Sequence, residues 1–220
     1  MEFTIVGENA IVLSVSYDKT RDAVHAVRTL WRRVRLEAGV ISSRCGLDAI
    51  LIEHTEDFDM DRFVQRMQQV SITFEPPPAN LLKIPVCYDG EFGRDLLSVA
   101  SATGLSVDEV IQLHTSPVYE VWMIGFMPGF PYLGELDSRL QLERKRIPDP
   151  QIVSGSVAIA EEYVGIYPFD SPGGWHVLGR TPWTMIDYSK QKPWLFDYGM
   201  QVQFYRISHD EFDGMRGKVS

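Results

Sequence analysis

Gly125-Phe126-Met127-Pro128-Gly129-Phe130-Pro131-Tyr132-Leu133-Gly134 interleaves glycine, proline and aromatic residues and keeps neither a helix nor a strand period. It lies in segment 122–182, whose 61 residues hold eight of the chain's 17 glycines and seven of its 13 prolines. Inside a helix a glycine costs about 1 kcal/mol and a proline about 3 kcal/mol relative to alanine, so this density excludes helices. Short strands joined by tight turns tolerate it. Segments 120–125, 152–160, 164–167, 177–179, 183–187 and 201–207 supply those strands, with alternation at Val157/Ile159 and Val202/Phe204. The pattern predicts a closed barrel or a sandwich.

Working outward, residues 83–220 form this β domain, with a strand at 84–88 and two short helices at its start. Leu96, Val99 and Ala100 mark the first helix, which Thr103-Gly104 ends. Ser106-Val107-Asp108-Glu109 is a capping box opening the second, which runs to His114 and stops at Ser116-Pro117. Upstream, Pro76-Pro77-Pro78 lacks amide hydrogens and favours an extended backbone, so 76–82 is assigned to a stiff linker. Residues 1–75 read as a small α+β domain. A strand at 11–15 precedes a helix over 18–38 with Val24, Val27, Trp31 and Val34 inward and Arg28, Arg32, Arg33 and Arg35 outward. Strands at 40–43 and 49–53 follow, then a helix starting near Asp59 or Asp61 with Met60, Phe63, Met67 and Val70 inward.

Of the 220 residues, 45 % are hydrophobic and 23 % charged, ordinary values for a soluble globular protein. The early apolar run at 10–15 is far shorter than the roughly 20 residues of a bilayer span and follows acidic residues. A cytoplasmic protein without a membrane partner is expected. The net charge is −9, and the segments on both sides of residue 82 are acidic. No cluster of Lys and Arg exists to neutralise phosphates, so nucleic acid is not an expected partner. Cys45 and Cys87 lie far apart, and His25, His54, His114, His176 and His209 lack ligand spacing, so no metal site is expected. A phosphate-binding loop is absent, as are a G-x-S-x-G nucleophile turn and the Met-Lys pair of a biotin carrier.

Chemistry therefore concentrates in two loops, 125–134 and Ser171-Pro172-Gly173-Gly174-Trp175-His176-Val177-Leu178-Gly179-Arg180-Thr181-Pro182. Glycine permits close backbone approach, proline limits loop entropy, and aromatics provide apolar walls. Such loops suit a small-molecule site; equally, they suit the rim of a turn-rich barrel whose aromatics close the core.

Seven ordered motifs carry a resemblance. Besides the Gly125–Gly134 string they are Tyr88-Asp89-Gly90-Glu91-Phe92-Gly93, Leu113-His114-Thr115-Ser116-Pro117, Gly155-Ser156-Val157-Ala158-Ile159, Gly165-Ile166-Tyr167-Pro168, Ser171-Pro172-Gly173-Gly174-Trp175 and Gly179-Arg180-Thr181-Pro182. The set resembles the 5-oxoprolinase B subunit family, also described as allophanate hydrolase subunit 1 or the KipI kinase inhibitor. The resemblance implies an α+β N-terminal domain and an all-β cyclophilin-like barrel. It further implies a non-autonomous subunit that works with a homologous C subunit, and with an A subunit, to open 5-oxoproline to glutamate with ATP and Mg. The alternatives within the resemblance are an allophanate or urea-type amide hydrolase subunit and a non-catalytic inhibitor of a sensor histidine kinase.

On that reading, Phe126, Pro128, Gly129, Phe130 and Tyr132, with Ser171, Pro172, Gly173, Gly174 and Trp175, supply amides and walls to a lactam or amide substrate, and Ser156 joins them. Arg180 and Arg144 would hold an anionic group, and His114 or Tyr167 would handle protons. The structural alternatives are an ion pair for Arg180, a helix-end role for His114 and barrel packing for Tyr167. The sequence also departs from the family pattern. Tyr163-Val164 stands in place of Gln-Thr, Pro148-Asp149 in place of Pro-Arg, and Glu143 and Val153 where proline is usual. An anion gained at Asp149 is expected to weaken binding of an acidic substrate if that position lines the site.

Overall fold

A computed structural model describes residues 1–15, 21–72 and 81–216, and the chain divides into two units, Met1–Pro76 and Pro77–Ser220. In the first, β1 (Glu2–Gly7), β2 (Ala10–Ser14), β3 (Val40–Cys45) and β4 (Ala49–His54) form an antiparallel sheet in the order β1-β2-β4-β3. Helices α1 (Arg21–Val34) and α2 (Met60–Gln68) complete it. Alternate strand residues Ile11, Leu13, Ile50 and Ile52 are fully buried, as period-two alternation requires, and Val24, Val27, Leu30, Phe63 and Met67 complete this unit's core. Strand β1 has no signal in the sequence, because its residues are mostly exposed and carry no alternation; Phe3 alone reaches the core, edge-on to Phe63 at 6.1 Å.

One expectation for α1 fails. Arg28 is 4 % exposed, not on a solvated face, and donates to His25 Nδ1 at 2.8 Å one turn back. Arg32, Arg33 and Arg35 remain exposed.

The second unit is a closed barrel of seven strands. In chain order these are β5 (Leu81–Cys87), β6 (Tyr119–Ile124), β7 (Pro131–Gly134), β9 (Ser156–Ala160), β10 (Tyr163–Ile166), β12 (His176–Arg180) and β13 (Gln201–Ile207). Around the barrel they run β10-β7-β6-β13-β5-β12-β9. Strands β13 and β5 pair in parallel; the other contacts are antiparallel. Helices α3 (Leu96–Thr103) and α4 (Val107–Thr115) fall where expected, the first stopped by Gly104 at φ +72°, the second opened by the Ser106–Glu109 capping box. Val86, Val121, Leu133, Ile159, Ile166, Val202 and Phe204 fill one buried cluster with Val99 and Val110 from the two helices.

Several boundaries are corrected. Residues 73–80, most of the assigned linker, lie outside the described residues, while Leu81 and Leu82 already belong to β5. Segment 152–160 is two strands, β8 (Asp149–Ile152) and β9, parted at Gly155 with φ +84°. Both loops contain strands: β7 in one, and β11 (Ser171–Gly173) and β12 in the other, with β8 and β11 paired as a separate ribbon. Segment 183–187 is no strand and holds only an isolated bridge between Ile186 and Trp194. Helix α5 (His209–Met215) is an addition to the expected elements, although Ser208 and Glu211 form a second capping box.

The barrel wall has an unusual outer face. Positions alternating with the core residues carry Trp122, Tyr132 and Tyr163, and beside them stand glycines. A Cβ on Gly165 would sit 2.4 Å from the Phe130 ring and 2.9 Å from Trp175; one on Gly134 would sit 2.4 Å from Trp122. These glycines are demanded by rings pressed onto bare backbone. Gly165→Ala is therefore expected to destabilise the protein by about 1–3 kcal/mol through overpacking. Gly174→Ala, whose Cβ would meet nothing closer than 3.5 Å, should stay within about 0.5 kcal/mol of wild type in urea unfolding.

Candidate functional site

The two loops that the sequence singles out meet on this outer face. Phe130, at the end of the first, lies edge-to-face with Trp175 of the second at 5.3 Å, with Tyr132 at 5.2 Å and with Tyr167 at 5.2 Å. Tyr132 meets Trp175 at 5.5 Å and Tyr163 at 5.7 Å, and Tyr163 meets Trp122 at 6.1 Å. Perpendicular rings place positive edges on negative faces, which adds about 0.5–1.5 kcal/mol per pair beyond area burial. Gly173 belongs to the same packing, since a Cβ there would lie 2.4 Å from the Tyr167 hydroxyl.

The body of the cluster is solid: Phe130 and Tyr167 are each 1 % exposed and Trp175 5 %. Its lip is open. Phe126 is 63 % exposed at φ +66° and leans on Phe130 at 5.5 Å. The hairpin that presents it is fixed by Gly125 N–H donating to the Phe130 carbonyl at 3.1 Å and by Gly129 at φ +79°. Pro128 and Pro172 are exposed on the two loops, and Tyr132 is half-buried. Arg144 joins them, its guanidinium 6.0 Å from the Trp175 ring centre and its Nε 3.3 Å from Glu161. Gly174 contributes its carbonyl to the Lys145 N–H at 2.7 Å.

Other candidate residues fall elsewhere. Arg180 stands five residues along the chain from Trp175, about 16 Å in an extended strand, and its Nε donates to the Ser154 carbonyl at 2.8 Å. Burial and the neighbouring Arg216 lower its pKa. Ser156 is 4 % exposed in β9, and the Ser171 hydroxyl is buried without a hydrogen-bond partner. His114 is fully buried, stacked on Phe204 at 4.6 Å, with Nδ1 bonded to the Tyr88 hydroxyl at 2.7 Å. Burial drives its pKa down to about 3 and that of Tyr167 up to about 12, the latter partly offset by a hydrogen bond from the Trp175 backbone. Neither value lies near neutrality, and His114 sits in the core and not on the aromatic face.

The departures from the family pattern acquire physical meaning. The Asp149 carboxylate is held by Lys145 Nζ at 2.7 Å and Arg94 at 2.5 Å, so its charge is compensated. The same Lys145 reaches Asp95 at 2.7 Å, and Asp95 accepts the Val177 N–H at 2.7 Å. This network ties the ribbon of β8 and β11 to helix α3 and strand β12. Its sequence signal is the four-residue spacing of Lys145 and Asp149. Tyr163 adds a ring to the outer cluster, while Val164 fills the barrel core. Among the described residues no three His, Cys, Asp or Glu side chains gather as metal ligands, and no single helix is long and apolar enough to cross a membrane. Cys45 and Cys87 are buried thiols outside any disulfide, each with a pKa raised by burial.

Residues 1–196 match the family model of the carboxyltransferase domain, subdomains C and D. The chain is 42 % identical over 148 residues to the 5-oxoprolinase B subunit of Bacillus subtilis (strain 168), covering 67 % of this chain and 61 % of that protein. It is 34 % identical over 204 residues to the 5-oxoprolinase B subunit of Escherichia coli O157:H7, covering 91 % and 93 %. The crystal structure of TTHA0988 superposes with a TM-score of 0.78 at 31 % identity, covering 90 % of this chain and 40 % of that one. The chain thus spans under two thirds of the length of the first and third of these.

The state of His114 fixes an acid response. Its folded pKa of about 3 lies below its ordinary 6.5, so the unfolded chain binds the extra proton first. The native state is unaffected above pH 6.5 and loses stability progressively as pH falls from 6.5 towards 3. His114→Phe should flatten that limb of the stability–pH curve measured by denaturant unfolding, while leaving other acid transitions in place.

Proposed function

Since this chain belongs to the carboxyltransferase subdomain C and D family, in which it groups with the B subunits of 5-oxoprolinase, we propose that it is the B subunit of an ATP-dependent 5-oxoprolinase. It would act in the cytoplasm with a homologous C subunit and with an A subunit. The observation that carries this reading is the convergence of the two loops into a rigid aromatic body with an open lip. The rings of the body are buried against one another, so the accessible surface of that face lies at its lip. The lip, with Phe126, Pro128, Tyr132, Arg144 and Pro172, has the character of one wall of a site that another polypeptide closes.

A lactam carbonyl is stabilised by resonance and must be activated before water attacks, and ATP would supply that activation, for example by phosphorylation. No P-loop occurs in this sequence, which favours a nucleotide held largely by partner subunits. This chain's share is positioning. Arg144, steadied by Glu161 and Trp175, suits the substrate carboxylate. Phe126 and Tyr132 shield the reacting group from bulk water. The same exposed lip would also suit docking on a sensor histidine kinase, the second reading.

The test is co-expression of the full chain with its homologous C subunit, followed by size-exclusion chromatography and assay of 5-oxoproline-dependent ATP hydrolysis once the A subunit is added. Co-elution and coupled turnover are expected. Phe126→Asp, which keeps a residue tolerant of positive φ, should weaken assembly about tenfold, equivalent to about 1.4 kcal/mol. Arg144→Gln should leave assembly intact and raise KM for 5-oxoproline about tenfold. Separate elution together with suppressed autophosphorylation of a cognate kinase would replace the enzyme reading with the inhibitor.

A further inference from the structure

The sheet of the first unit, ordered β1-β2-β4-β3, ends on two edge strands that are built differently. Strand β3 is guarded. A bulge between Val40 and Ser42 breaks its pairing with β4, Arg44 places an exposed charge on it, and the Ser42 hydroxyl is occupied by the Glu53 carboxylate. Bulges and charged side chains are what keep an edge from pairing with a further strand. Strand β1 has no such guard. Glu2, Phe3, Thr4 and Ile5 run in unbroken register against Ser14, Leu13, Val12 and Ile11, the irregularity falling only between Ile5 and Gly7. Glu2 is the sole charged residue of the strand.

Residues opposed across an antiparallel pair share a face of the sheet. Phe3 and Ile5 therefore lie on the face of Leu13 and Ile11, which are fully buried, and Phe3 meets the Phe63 ring at 6.1 Å. Ile5, on that same core face, is 74 % exposed, and Val6 after it is exposed as well. The apolar layer thus runs out at β1 with an aliphatic side chain uncovered. Beyond it, no strand among the described residues takes up the outward N–H and C=O groups of β1. Such a row of donors and acceptors beside an uncovered isoleucine fits another strand that carries an apolar side chain on the same face.

We propose that this edge is an interface between two copies of the chain, β1 of one pairing antiparallel with β1 of the other about a two-fold axis at Thr4. The strand is its own complement in that register. Ile5 falls opposite Phe3 of the second copy and Phe3 opposite its Ile5, so each uncovered isoleucine gains an aromatic neighbour and the two core faces join. Thr4 meets Thr4, a cross-strand pair that antiparallel sheets favour. Glu2 lies beside Val6, and the two Glu2 residues stand about 13 Å apart along the strands, so no like charges face each other. Pairing of identical edges closes at two copies, whereas β1 on β3 would propagate without end and would meet the guarded strand. The contact is one short strand wide, well under the roughly 1,200 Å² of a stable complex, so the dimer is weak, with Kd of about 10–100 µM. The inference rests on the first unit alone and is independent of the 5-oxoprolinase reading.

Sedimentation velocity of the full chain from about 1 µM to about 500 µM is expected to show a reversible shift from monomer to dimer and no larger species. Ile5→Lys, at an exposed position, should raise Kd about tenfold or more while leaving the urea midpoint of the dilute protein unchanged. Ile41→Lys, equally exposed on β3, should leave Kd as it is. Under mild oxidation Thr4→Cys should form a disulfide between copies, since Cα atoms opposed in an antiparallel pair lie about 4.5–5.5 Å apart, inside disulfide range. Glu2→Cys should not, and the native Cys45 and Cys87 are buried. A monomer throughout, growth beyond the dimer, a dimer indifferent to Ile5→Lys or equally weakened by Ile41→Lys, or no preference for Thr4→Cys over Glu2→Cys in cross-linking would each overturn the proposal.

Discussion

The second unit rests on one steric fact: the Phe130 ring lies directly on the backbone of Gly165, where a Cβ would come within 2.4 Å. A barrel wall ordinarily presents polar side chains to water on its outer face. Here the wall is stripped to glycine so that aromatic rings can lie on it, and each ring then becomes a surface for the next. The chain of perpendicular contacts from Trp122 through Tyr163, Tyr132 and Phe130 to Trp175 and Tyr167 builds a second core outside the barrel. Both loops are held to a single geometry because they share these rings, which is what allows Phe126 to remain exposed without being loose.

Polar contacts hold the second loop from its far side. Lys145 bridges Asp95 and Asp149 at 2.7 Å each, and Asp95 also receives the Val177 N–H. Exposed ion pairs contribute little individually, but Lys145 is 17 % exposed and three elements meet at it, so screening by water is reduced. The acidic residue at position 149 therefore serves packing in this chain. Repulsion of an acidic substrate would require a free carboxylate there, and the structure gives that carboxylate two cations.

How much of this is legible in the sequence depends on the range of the signal. Helix α4 is legible because Ser106 and Glu109 cap it locally, and the β character of 122–182 because glycine and proline exclude helices without any knowledge of contacts. Strand β7 is not, since Pro131-Tyr132-Leu133-Gly134 pairs on both sides at positions fixed by distant partners, with a ring over Gly134 in place of a side chain. Arg28 looks solvent-facing because helical periodicity describes one face, and burial of the other face is a tertiary event. Convergence of the two loops follows from their shared chemistry, whereas the separation of Arg180 from Trp175 follows from strand β12 lying between them. His114 sits in a motif that resembles its family closely, yet motif membership carries no depth; only the packing against Phe204 places it in the core.

The titration behaviour of these groups bears on what the aromatic face can offer a ligand. At the aromatic face, burial raises the pKa of Tyr132 and takes that of Tyr167 up to about 12. A general acid or base efficient at neutral pH needs a pKa near the working pH. The described residues of this face offer shape, apolar walls and fixed charge, all of which act without titrating. The value of this face lies in its rigidity, and that is why segment 122–182 goes so largely into glycine, proline and aromatic packing.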